Sequence, residues 1–138
     1  MIIDPHASVF ERSFLVLKFL SAAYVIGIFV FHFAFPNVWV VAMVLSVAMN
    51  FTYPWAAIRG QRFVPVEIGV STTLVVMAIL GVLASPLWVI ASIFGHGVWD
   101  LFKHNGQGVP FFKWYTQGCV VVDWFYAASL TLYLISGL

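Results

Sequence analysis

Five apolar runs, at residues 13–35, 38–58, 64–83, 86–102 and 112–135, make up most of this chain, and only short polar breaks separate them. No other feature constrains the fold as hard. At about 1.5 Å of rise per residue, roughly 20 residues of helix cross a hydrocarbon core of about 30 Å. Inside that core each backbone N–H and C=O must bond within its own segment, which makes helix the conformation for runs of this length. The expected fold class is all-α: a polytopic membrane protein, one transmembrane domain over residues 1–138, built as a bundle of five transmembrane helices. The 86–102 run is the shortest and sits at the lower limit for crossing. A water-soluble alternative would need a charged surface, which a chain 63% hydrophobic and 8% charged does not have.

The same composition removes several functions. A formal net charge of +1 leaves no basic patch for phosphates, so no nucleic-acid partner is expected. Cys119 is the single cysteine, which excludes an intrachain disulfide and a two-cysteine thiol relay. No Gly-rich phosphate loop, Ser/His/Asp order or histidine-box set occurs. The expected partner is membrane lipid. Five helices make a thin bundle, which leaves room for a homo-oligomer or a larger membrane complex.

The breaks between runs carry local signals. Pro54 lies inside the second run, where it frees the carbonyl of residue 50 and predicts a kink. Asn50 at that point reads as polar glue between helices. Pro65 fits the first position of the third helix, and Glu67 then falls in its first turn, where the helix dipole favours an anion. Ser85-Pro86 reads as a cap followed by a first helical residue. With five spans, Arg12, Lys18, Arg59, Arg62, Lys103 and Lys113 all mark one side. The positive-inside rule makes that side cytoplasmic, with the N-terminus there and the C-terminus periplasmic, in a membrane expected to be the bacterial inner membrane.

Ionisable residues in the apolar runs are the functional candidates, because burying charge in hydrocarbon is costly. Most lie between residues 95 and 124. His96, Asp100 and His104 recur at every fourth residue and share one helical stripe. Asp123 lies about 15 Å beyond Lys113 by helix rise. Antiparallel packing of the last two spans brings His96 near Asp123, with Gly95, Gly97 and Gly118 small enough for close approach. The candidate acid–base residues are His96, Asp100 and Asp123, with Asp100 orienting His96 and His104 dispensable. A divalent metal ion is the candidate cofactor, with His96, Asp100 and Glu67 as ligands and Cys119 and Asp123 within reach. The expected pocket wall is Asn50, Trp99, Tyr115, Cys119, Trp124 and Tyr126.

An acid walled by aromatic rings suits protonation chemistry on an apolar molecule. The sequence thus points to a membrane-embedded acid–base or metal-assisted enzyme acting on a lipid- or isoprenoid-like substrate. A proton- or metal-ion-linked transporter subunit, and a structural subunit whose polar residues only lock helices, are the alternatives. Against transport, the outer half offers only His32 and hydroxyl side chains.

Overall fold

A computed structural model describes residues 14–137, so Arg12 and the rest of residues 1–13 lie outside the described residues. Among the described residues every regular element is helix: α1 (Phe14–Ala34), α2 (Val38–Met49), α3 (Thr52–Gly60), α4 (Val64–Leu83), α5 (Pro86–His104) and α6 (Lys113–Ser136). The second run is therefore split. The chain leaves helix at Asn50-Phe51, four residues before Pro54, where proline removes the backbone donor. The kink expected there is a short break, and α2 with α3 still forms one span over Val38–Gly60. Asn37 caps α2 by accepting from the Val40 N–H at 3.1 Å. Ser85 caps α5, and Pro86 opens it.

Four spans, Val16–Ala34, Val38–Gly60, Val64–Leu83 and Lys113–Ser136, are long and apolar enough to cross a membrane. The exception is α5, and its residue pattern explains why. Its buried residues include Ser92, His96, Asp100 and Lys103, while Leu87, Trp88, Phe94, Leu101 and Phe102 lie exposed on the outside. A soluble helix hides its apolar stripe. This one hides its polar stripe and presents hydrocarbon outward, as a helix does when lipid is its solvent. Its mean hydropathy is low because the polar groups face the bundle.

The core is α4, α5 and α6 with α2 packed across them, and α1 lies at the edge. Two apolar clusters lie at different levels. One joins Val41, Leu45 and Met49 to Ala78, Val89, Ile93, Ala127 and Leu130. The other joins Leu17, Tyr53, Ala56 and Ala57 to Val109 and Phe112 of the α5–α6 loop. Along α5, His96 and Asp100 fall between Ile93 of the first and the loop of the second. The polar groups thus occupy a layer closed by hydrocarbon at both ends.

Candidate functional site

The layer is built around His96. Its Nδ1 lies 2.8 Å from Asp123 Oδ2 on α6. With Asp123 ionised, Nδ1 donates to it, and whenever the ring is neutral Nε2 is the bare nitrogen. Asp100, one turn along α5, places its Oδ2 3.1 Å from the same Nδ1. That oxygen is off the N–H direction and has no aligned donor, whereas its Oδ1 accepts from the Tyr53 hydroxyl of α3. The Tyr53 ring also lies parallel to the imidazole, with centroids 5.9 Å apart and planes 10° apart. All four residues are at most 2% exposed.

Close approach of α5 and α6 depends on Gly97. A Cβ there would stand 2.6 Å from Trp124 Nε1 and 3.4 Å from Asp123 Cβ. A side chain at this position beside His96 would have to push the Trp124 indole aside. Gly95 leaves room for Leu74 of α4 instead, at 3.1 Å, while nothing lies within 4 Å of a Cβ at Gly118. The expected role of Gly118 in close approach is not seen.

Two carboxylates beside a neutral imidazole would carry two negative charges into hydrocarbon, compensated only by hydrogen bonds. Burying charge in that way costs roughly several kcal/mol per ion. The cluster is thus suited to hold a further proton or a cation. Donor atoms of His96, Asp100 and Asp123 all lie within 4.8 Å of one another, a spacing that one metal ion can bridge.

Glu67 is not part of this set. It is fully buried at the start of α4, where Oε1 accepts from Lys103 Nζ and, at 2.9 Å, from the Val109 N–H. Its Oε2 takes the Trp99 indole N–H at 3.1 Å. Lys103 also donates to the Val109 carbonyl at 3.0 Å, and its Nζ sits 4.4 Å above the Tyr53 ring. Both Glu67 oxygens are engaged in this corner, and Asp123 rather than Glu67 is the residue grouped with His96 and Asp100. The sequence placed Lys103 at the membrane surface; the structure buries it as the counter-charge of Glu67.

His96 and Asp123 line a cavity of ≈430 Å³ between α1, α6 and the α2–α3 break, with Tyr115 and Cys119 also in its wall. Of the other expected wall residues, Trp99 serves Glu67, and Trp124 is part-exposed, stacked on Phe94 at 5.4 Å. Tyr126 bonds His32 of α1 at 2.6 Å. Asn50 donates from Nδ2 to the Ser46 carbonyl of its own helix and bridges to no neighbour. His104 stays out of the cluster, with Nδ1 3.2 Å from Thr116 Oγ1.

Two residues that sequence reasoning missed belong here. Tyr53 carries no charge and was not singled out; its place three residues after Asn50, beside Pro54, was the available signal. Tyr24 lines the cavity from α1. Among the described residues its buried hydroxyl has no partner, and neither has His96 Nε2. An unsatisfied buried polar group costs about 1–3 kcal/mol.

No known family model, curated protein or solved structure matches this chain.

Proposed function

We propose that the protein is a membrane-embedded enzyme that moves a proton on an apolar, lipid- or isoprenoid-like substrate. One observation carries the reading: a buried imidazole oriented by Asp123 through Nδ1 has its Nε2 unpartnered, in the wall of a mostly apolar cavity. His96 is the group that exchanges the proton with substrate. Asp123 fixes the tautomer and balances the imidazolium when it forms. Asp100, held by Tyr53, is the positioning residue that supplies a second negative oxygen beside Nδ1. The side bearing Arg59, Arg62 and Lys113 is cytoplasmic in this reading, by the positive-inside rule.

Incubation in D₂O with a total lipid and isoprenoid extract tests the reading across many candidate substrates at once. Protein-dependent deuterium on carbon of at least one apolar molecule is expected by mass spectrometry. His96→Gln and Asp123→Asn should abolish it while the helical circular dichroism persists. Absence of protein-dependent exchange onto carbon refutes the reading.

The three-residue spacing supports a second reading, in which His96, Asp100 and Asp123 hold a divalent cation and the chemistry is metal-assisted. Two carboxylates would neutralise such an ion in hydrocarbon. Equilibrium dialysis against Mn²⁺ or Zn²⁺ should then find one ion per chain, lost in Asp100→Asn. No retained ion at millimolar metal excludes it.

A further inference from the structure

We infer that the cavity takes a neutral amphiphile bearing one oxygen function, a hydroxyl or carbonyl, with its apolar remainder running out between α1 and α3. The inference names the substrate class of the proposed enzyme and rests on that reading for the chemistry, although not for the binding.

The polar groups of the wall decide the headgroup. Ser21 is bonded to the Leu17 carbonyl, Tyr115 donates to Thr52, and Asp123 is taken by His96. Tyr24 Oη and His96 Nε2 have no such partners and are shielded from solvent. A phenol hydroxyl donates and a neutral Nε2 accepts, so the pair fits an oxygen that accepts from Tyr24 and lies beside a hydrogen facing His96. Among the described residues no Lys or Arg lines the cavity, and Asp123 stands in its wall. Phosphate, sulfate and carboxylate headgroups would find no counter-charge there and one like charge.

The shape decides the tail. At about 30 Å³ per water-sized group, ≈430 Å³ holds roughly a dozen such groups, short of a long lipid chain. A second apolar hollow of ≈560 Å³ shares Leu17, Leu20 and Thr52 with the first and reaches the outer face at Val16, Phe51 and Ile58. Those three side chains are exposed in the lipid-facing surface. The two hollows meet at Leu17, Leu20 and Thr52, and the inferred tail passes that shared wall along α1 from lipid toward His96.

The test uses purified full-length protein in nanodiscs and three probes: a C15 isoprenoid alcohol, the hydrocarbon of the same skeleton, and the alcohol's monophosphate. Native mass spectrometry or calorimetry should find the alcohol bound about tenfold more tightly than either of the others. Among the described residues the Tyr24 hydroxyl bonds nothing, so Tyr24→Phe should keep or raise the thermal transition. It should lower alcohol affinity about tenfold and leave hydrocarbon affinity unchanged. Leu20→Trp, which fills the shared wall, should weaken all binding. Equal binding of hydrocarbon and alcohol, tighter binding of the phosphate, or an alcohol preference that survives Tyr24→Phe overturns the inference. These outcomes are read without turnover. Oxygen-selective binding with no deuterium exchange upholds the inference and refutes the proposed enzyme; exchange without oxygen selectivity does the reverse.

Discussion

Removing the charge from Lys103 should unfold the α5–α6 corner, and the structure fixes the size of the effect. Glu67 is 0% exposed and accepts from Lys103, the Val109 N–H and the Trp99 indole. Lys103→Met takes away the only cation among these donors and leaves a carboxylate in apolar surroundings, a change that costs about 3–5 kcal/mol when one partner of a buried pair is lost. The Val109 carbonyl loses its donor as well, at about 1 kcal/mol. Adding Glu67→Gln removes the stranded charge while its side-chain oxygen can still accept from Val109. The double variant should recover at least about 2 kcal/mol of the single variant's loss, a coupling typical of residues in one network. Unfolding in mixed dodecyl maltoside–SDS micelles measures the global term. Hydrogen exchange at residues 105–112 reads the loop that the pair ties down. A double variant as unstable as Lys103→Met, with exchange in the loop unchanged in both, would refute the argument that charge compensation holds this corner.

Four further outcomes follow from the same geometry. Gly97→Ala drives a methyl into Trp124 and should destabilise by about 1–3 kcal/mol through overpacking, with a shift of tryptophan emission. Tyr53→Phe strips Asp100 Oδ1 of its donor and should cost about 1–3 kcal/mol in the same micelle titration, with loss of proton exchange onto substrate. His104→Ala removes a contact with Thr116 outside the cluster, so deuterium transfer should stay near normal; loss comparable to His96→Ala would move the site to the membrane surface. Reporters inserted at 36–37, 61, 84–85 and 106–107 should alternate periplasm, cytoplasm, periplasm, cytoplasm; loss of the alternation contradicts five spans, and the inverted alternation contradicts a cytoplasmic N-terminus.

Much of the fold was legible because lipid leaves the backbone few choices. Run lengths gave the spans, Ser85-Pro86 marked the start of α5 and Pro54 marked the break at Asn50-Phe51. His96 and Asp123 were legible for the same reason: an ionisable side chain deep in an apolar run must face the bundle. What could not be read was the rotation of each helix and hence which polar groups pair. Glu67 has a sufficient local explanation at a helix N-terminus, and only packing of α4 on α5 reveals Lys103 as its partner. Asn50 has a neighbour to bridge in almost any bundle, yet its amide turns back to Ser46 where the helix breaks. Tyr24 and Tyr53 carry no charge, and although Tyr53 lies beside the Asn50–Pro54 break, the sequence does not say what either hydroxyl faces. Their importance comes from what lies opposite them, which is tertiary information.

The two polar clusters on α5 differ in a way that bears on their roles. Around Glu67 and Lys103, charges sum to zero and the strong donors and acceptors are matched, including those of the loop backbone. Such a cluster gains nothing from a ligand and is complete as an anchor. Around His96 one N–H faces two carboxylate oxygens, Asp100 Oδ2 has no aligned donor, and Nε2 has none at all. Interhelical glue alone would be expected to saturate, because each unmet bond in hydrocarbon destabilises the fold it is meant to hold. The under-bonded cluster is the one that borders the cavity, and Tyr24, whose hydroxyl has no partner among the described residues, lines the same cavity. The missing bonds therefore lie beside a cavity, and on that contrast with the saturated Glu67 cluster the proposed binding of a bilayer molecule rests.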